Sequence, residues 1–329
     1  MVGLVIAAWY ERPGPAKEVL EVGQMPDPEP GTGEVRVAVR VSGVNPGDTK
    51  KRGDWVGFGM AFPRVIPHSD GAGVIDAVGD GVEPSRIGKR VWVYGAQSYR
   101  PFGTAAQLTL VPAEQAVELP DEVGDALGAC LGIPGITAHR AVFGDGSVYG
   151  KTILVHGVLG AVSSMAWQLA RADGAKVIGT VRRTADLDQT DSSGHVVALD
   201  QPDPVAAIRK LAPEGVDRII EVSLSDNAEL DVAVAANDAV VAAYATREDR
   251  PMLPFWPMLF ANLTIRLLGS DDFTPPAKQQ AVAALTTAAR DGTLTIPSRD
   301  PIPLHQIAGA HDLVDAGTRQ RVLVAIPPS

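Results

Sequence analysis

Residues 152–181, TILVHGVLGAVSSMAWQLARADGAKVIGTV, decide the architecture of this chain. Thr152 to Val155 form a short aliphatic run of the kind that makes a strand buried on both faces. Gly157 and Gly160 then break the run with a turn. Beyond the turn, Val162, Met165, Ala166, Leu169 and Ala170 fall at the i, i+3, i+4, i+7, i+8 spacing of one helix face, and Gly174 supplies the stop. Residues 176–181 read as a second strand. Strand, glycine turn, helix and strand make a βαβ unit, which requires a parallel sheet covered by helices.

Working outward, four more strand patterns lie at 195–199, 218–222, 239–245 and 264–269, so the sheet has six strands and the doubly wound form. The first 125 residues read as all-β. Residues 35–44 (VRVAVRVSGV) alternate apolar and polar, 73–78 do likewise, and 90–94 and 108–111 are β-branched runs bounded by Gly or Pro, a pattern that predicts a small barrel. After Gly269 come a helix starting at Pro275-Pro276, a second helix over about 305–316 and a final strand at 321–326. That C-terminal piece is too small for its own core, so it is expected to pack on the N-terminal β domain. The expected domains are 1–125 plus 271–329, and 126–270 inserted between them. A length of 329 residues suits two domains.

Composition narrows the function. The 39 acidic residues exceed the 29 basic ones, for a net charge of −10, which argues against a nucleic-acid partner. No apolar run is long enough to cross a bilayer, and MVGLVIAAWYERP lacks the basic start of a signal peptide. The single cysteine, Cys130, excludes an intramolecular disulfide framework and a four-cysteine zinc lobe, and points to a reducing cytoplasm. The six histidines, among them His68 and His156, form no metal-ligand spacing, so no metal site is expected and each reads as structural or pocket-lining. Cys130 and His139 could form a thiol pair, although a lone cysteine in an apolar helix reads as plain core.

Backbone amides and the positive helix end over Gly157, Val158, Leu159, Gly160, Ala161 and Val162 suit a pyrophosphate, with Ser163 at the third position of the usual glycine fingerprint. The second strand ends Gly179-Thr180-Val181-Arg182-Arg183-Thr184, with no acid between Gly174 and Ala185. An NAD site wants an acid there for the ribose hydroxyl, whereas a 2′-phosphate wants cations. Thr180, Arg182 and Arg183 therefore point to NADPH.

Four further blocks carry a family resemblance: Gly43 to Asp48 (GVNPGD), Ser69 to Val82 (SDGAGVIDAVGDGV), Leu131 to Ala141 (LGIPGITAHRA) and His156 to Ser163. The chain resembles the zinc-free quinone oxidoreductase branch of the medium-chain dehydrogenase/reductase superfamily, relatives of zeta-crystallin and enoyl reductases. The resemblance implies a Rossmann sheet inserted in a GroES-like β-barrel domain, and hydride transfer from NADPH to a quinone or α,β-unsaturated carbonyl in a cleft between the domains. It places Asn45 beside the nicotinamide ribose or substrate oxygen, Asp48 as an organiser of its loop, and Thr137, Tyr244 and Arg321 near the cofactor. Zinc-dependent cousins have a cysteine just before the equivalent of Asp48 and a histidine at Ser69; here Pro46 or Gly47 and Ser69 stand there, which implies metal-free chemistry. Lys50 replaces a common active-site tyrosine, leaving the proton donor open among Lys50, Tyr94, Tyr99 and solvent. Asp200 replaces a tyrosine that in some relatives helps hold the adenine-ribose phosphate. The same resemblance allows a dedicated enoyl or ketide reductase, or a redox-inactive NADPH-binding homologue, and implies a homodimer paired through the sixth strand. Residues 55–62, 94–102 and 253–258 are the expected substrate loops.

Overall fold

The computed structural model describes residues 3–190 and 194–328. The chain divides into two compact units, one made of Met1–Pro134 with Val282–Ser329, the other of Gly135–Ala281.

The first unit begins with β1 (Leu4–Trp9), a helical turn α1 (Ala16–Val19) and β2 (Glu21–Pro26), which returns antiparallel to β1. β3 (Glu34–Gly43) follows, burying Val35, Val37 and Val39 while Arg36 and Arg40 face outward, the two-residue period of a half-buried strand. Next are α2 (Pro46–Arg52), β4 (Asp70–Val78), β5 (Arg90–Val93), β6 (Leu108–Pro112), β7 (Ala116–Glu118) and the short α3 (Asp125–Gly128). The stretch expected to be all-β thus contains two short α-helices, α1 and α2, and α3 starts at its last residue. The reason for α2 is local: Pro46 sits at the first helical position, where its missing N–H costs nothing. Asp48 reaches back to the Asn45 amide, and Lys50, Lys51 and Arg52 complement the dipole at the end. After α3, Leu131–Gly135 makes one broken helical turn, with Gly132 out of helical conformation (φ −60°, ψ −119°). Cys130 lies just before that break, rather than within a continuous helix as the sequence suggests.

The second unit runs through α4 (Ile136–Phe143), β8 (Thr152–Val155), α5 (Ala161–Ala172), β9 (Lys176–Val181), β10 (His195–Ala198), α6 (Pro204–Leu211), β11 (Val216–Glu221), α7 (Leu224–Val234), β12 (Ala235–Ala243), α8 (Phe255–Phe260) and β13 (Thr264–Leu267). Its six strands are all parallel, in the order β10-β9-β8-β11-β12-β13. This is the doubly wound Rossmann order, and the direction of winding reverses between β8 and β11. The carboxyl ends of those two strands therefore border the crevice where such sheets bind ligands. Leu154, Ile178, Ile208, Ile219 and Val241 are fully buried around the sheet.

The chain then continues through α9 (Pro275–Arg290), β14 (Ile302–Pro303), α10 (Ile307–Asp315) and β15 (Leu323–Ala325). β15 pairs antiparallel with β3, Leu323 opposite Gly43, so the C-terminal strands join β3 in one sheet of order β14-β15-β3-β4-β5-β7, with β6 also on β3, while β1 and β2 pair apart from it. Register shifts in β3 near Arg36 and Val39 mark bulges, which bend a sheet and aid its closure. Val35, Val37, Ile75, Val91, Val93 and Val324 fill the core beneath. Among the described residues no helix is long and apolar enough to cross a membrane.

Candidate active site

In the second unit the turn after β8 is built by hydrogen bonds as much as by glycine. Gly157 takes φ +65°, a conformation that side chains resist, and the Gly160 amide donates to the Gly157 carbonyl at 2.8 Å. Val158 is buried and its amide donates to the Thr180 carbonyl at 3.0 Å, tying the turn to β9. Leu159, Ala161 and Val162 are half-buried and Gly160 is exposed. α5 then starts with Gly160 as its cap and no acidic side chain in the first turn. Its first-turn amides have no acceptors within the helix, so the junction fits an anionic phosphate.

Ser163 does not intrude on that turn. Its hydroxyl donates to the His156 carbonyl at 2.6 Å, which leaves its oxygen to accept from the Tyr244 hydroxyl at 2.8 Å. Tyr244 lies one residue beyond β12, and burial raises its phenol pKa, so this hydroxyl stays a donor. Arg182 and Arg183 are exposed directly after β9, and neither side chain has a partner among the described residues. Asp200 turns one oxygen to the loop: its Oδ1 accepts from both the amide and hydroxyl of Thr184, at 2.8 and 2.7 Å. Thr137 is buried near the start of α4.

Beneath the glycine turn lies a group that sequence reading did not assemble. His156 Nε2 is 2.9 Å from Asp231 Oδ1 and 3.5 Å from Glu221 Oε2, and its Nδ1 is 2.9 Å from the Thr180 hydroxyl. Thr180 in turn accepts from the Gly157 amide at 3.3 Å. His156, Thr180, Glu221 and Asp231 are all buried. Burial alone pulls an imidazole pKa down, but the hydrogen bond and charge of Asp231, with Glu221 beside it, outweigh it and raise that of His156. Burial pushes Glu221 up to about 7, although the Ser223 amide and the Asn227 side chain donate to it. His156, Glu221 and Asp231 are the one grouping among the described residues whose ligand atoms lie close enough to hold a metal ion.

In the first unit, Asn45, Asp48 and Arg321 are joined by hydrogen bonds to one another and to Asp70. The Asn45 amide donates to Asp48 Oδ2 at 2.7 Å, and burial pushes the Asp48 carboxyl up to about 7 against that bond. The Asn45 side-chain amide donates to Asp70 Oδ2 at 2.7 Å, while Arg321 Nη1 donates to Asn45 Oδ1 at 2.8 Å and also to the Val44 carbonyl. Arg321 Nη2 reaches Asp70 Oδ2 at 3.2 Å, and the Ile133 amide donates to Asp70 Oδ1 at 2.8 Å. The break in the chain at Gly132 makes that approach possible, because a Cβ there would lie 2.1 Å from Asp70 Oδ1. Asn45, Asp70 and Arg321 are buried. Asp70 lies in the SDGAGVIDAVGDGV block, but sequence reading assigned it no place in the site.

The remaining candidates are separate. Lys50 is exposed, its ammonium 5.0 Å from the Trp55 ring centroid, and Tyr99 is exposed at φ +55°. Tyr94 is buried, donates to the Glu114 carbonyl at 3.3 Å and has its pKa raised by burial. Cys130 donates to the Ala126 carbonyl and burial pushes its thiol up to about 11, while the His139 ring lies against Phe143. His68 and His311 are both buried, with Nε2 atoms 2.9 Å apart.

Comparison with known proteins agrees with this architecture. Residues 31–121 match the alcohol dehydrogenase GroES-like domain and residues 161–287 the family described as zinc-binding dehydrogenase. The human quinone oxidoreductase is 30% identical over 316 residues, covering 94% of this chain and 93% of its own length. Among solved structures, a putative NADPH:quinone reductase from Bacillus thuringiensis superposes with a TM-score of 0.87 at 18% identity, covering 98% of this chain and 99% of its own. A mycobacterial protein solved in complex with NADPH gives 0.83 at 23% identity, covering 98% and 100%. A Rossmann sheet inserted in a GroES-like domain, with this extent of identity, shows that the chain belongs to the quinone oxidoreductase branch of the medium-chain dehydrogenase/reductase superfamily.

Proposed function

We propose that the chain is an NADPH-dependent, zinc-independent reductase acting on a quinone or an α,β-unsaturated carbonyl. The observation that carries the cofactor choice is the end of β9, where Arg182 and Arg183 are exposed and have no partner among the described residues, while Asp200 accepts from Thr184. A pair of free guanidinium groups at that position attracts a 2′-phosphate. The amides of Gly157–Val162 would hold the pyrophosphate, with Thr180 fixing the turn from below and Tyr244 and Thr137 shaping the nicotinamide end. Bound NADPH supplies the hydride.

Zinc independence is supported by the chain's own residues: Pro46, Gly47 and Ser69 stand where zinc-binding cousins carry ligands, and the one thiol is buried and kept protonated. Negative charge developing on the substrate oxygen then needs a hydrogen-bond donor, and Asn45 is the proposed one. The final proton comes from solvent, with exposed Lys50 beside it in sequence and Tyr94 withdrawn by its bond to Glu114. We place the protein in the cytoplasm as a homodimer.

The test is a cofactor comparison. Replacing Arg182 and Arg183 together by Ala is expected to raise KM for NADPH about tenfold to a hundredfold, the loss of roughly 1.4–2.8 kcal/mol of charge-assisted bonding, and to leave KM for NADH nearly unchanged. Equal effects on both cofactors would contradict the assignment.

A further inference from the structure

A carboxamide has two orientations, and which one it holds is decided by its partners. For Asn45 the partners are of opposite kind. Asp70, which already accepts from Arg321 through Oδ2, must face Nδ2; Arg321 only donates, so it must face Oδ1. Turning the amide over loses both bonds and sets like against like. The backbone at Asn45 is fixed as well, through the Asp48 carboxylate and the Arg321 bond to the Val44 carbonyl.

Asp70 is itself anchored. If His311 donates to His68 through Nε2, then His68 Nδ1 donates to Ser42 (2.8 Å), Ser42 to Thr104 (2.7 Å) and Thr104 to the Asp70 carbonyl (2.6 Å), one unbroken buried direction of hydrogen bonds. Of the two hydrogens on Asn45 Nδ2, one is spent on Asp70 and the other has no partner among the described residues, although the side chain is only 5% exposed. A sheltered, rigid and unspent donor is what an oxygen acquiring negative charge requires. Arg321 on Oδ1 draws density from the amide and sharpens that donor. Asp70 cancels the arginine's charge, so an amide rather than a cation is presented.

The geometry points to Asp70 and Arg321 as positioning residues that hold the Asn45 carboxamide as the hydrogen-bond donor to the substrate's carbonyl oxygen. This rests on the reductase reading above. NADPH, when bound, would supply the hydride to the conjugated carbon and leave as NADP⁺, and the substrate's π electrons would pass to its carbonyl oxygen. The enolate oxygen accepts the free Asn45 N–H until water supplies the proton.

Two readouts test it. Asn45→Ala is expected to lower kcat about a hundredfold, as loss of one oxyanion donor does, with KM for NADPH unchanged. Asp70→Asn is expected to lower kcat about tenfold, and the double variant Asn45→Ala/Asp70→Asn to match Asn45→Ala alone, since Asp70 acts through Asn45. The second readout needs no turnover: 4-nitrophenol bound to the enzyme with NADP⁺ mimics the oxyanion, and its absorption is expected to show a lowered phenol pKa that returns to the free value in Asn45→Ala. Should Asp70→Asn fail to fold, as a melting scan would show, Arg321→Lys carries the same two measurements. Nitrophenol ionisation indifferent to Asn45, or losses that multiply in the double variant, overturn the proposal. A parent that ionises nitrophenol through Asn45 but oxidises no NADPH upholds the donor and sinks the reductase reading; an active parent indifferent to Asn45 does the reverse.

Discussion

Glu221 shows what a single buried carboxyl does to this protein. Its ordinary pKa is 4.5 and the folded chain pushes it up to about 7, chiefly by burial, so the native state holds a proton that the unfolded chain releases. The stability from that proton is complete below pH 4.5 and is lost as pH rises through 7. His156, raised by Asp231, adds a loss in the same direction, and so does Asp48. His68 and His311 act oppositely: burial lowers both, so their contribution is present above the ordinary 6.5 and fades as pH falls below it. Glu221→Gln, which keeps a neutral head of the same shape, is expected to flatten the decline in melting temperature between pH 5 and 8. An unchanged slope would show that Glu221 is ionised throughout. None of these groups was legible as a cluster in the sequence, because Asp231 lies 75 residues from His156 and only the sheet's winding brings them together.

At the scale of elements, the β8–α5–β9 unit was legible because each of its signals is local: an aliphatic run, a glycine turn, a helix face and a glycine stop all lie within 30 residues. The six parallel strands follow the positions expected, with β12 starting earlier, at Ala235, and ending at Ala243, just short of Tyr244. α2 carried a readable signal in Asn45, Pro46 and Asp48, but its seven residues sit within a β-rich region whose alternation dominates the pattern. Ser163 stands in sequence at the third position of the glycine fingerprint, and only the tertiary structure shows it bonded away from the turn, to His156 and Tyr244. Ser163→Ala should therefore cost about 1–2 kcal/mol in denaturant unfolding, because it strands the buried Tyr244 hydroxyl. With Tyr244→Phe already in place, the same substitution should cost clearly less; full additivity would mean the two hydroxyls do not interact.

Taken whole, the molecule puts its N- and C-terminal stretches into one compact unit, where β15 pairs with β3, and places the parallel sheet between them in sequence, an arrangement legible from a C-terminal piece too small to fold alone. The buried Asn45–Asp70–Arg321 network was not, since it joins residues up to 276 positions apart. The parallel sheet ends in the edge strand β13, and beside it in sequence Phe255, Trp256, Phe260 and Leu267 are more than 60% exposed. An apolar group of that size next to an open edge is what a second copy would cover. Light scattering on the parent is expected to give twice the chain mass, and Trp256→Glu with Phe260→Glu to give the single mass; a monomeric parent would contradict the homodimer. The most direct test of the central claim remains steady-state oxidation of NADPH and NADH against a panel of 1,4-quinones and conjugated enones. Turnover with NADPH at a kcat/KM at least tenfold above that with NADH is the predicted result, and oxidation of neither cofactor with any member of the panel would contradict it.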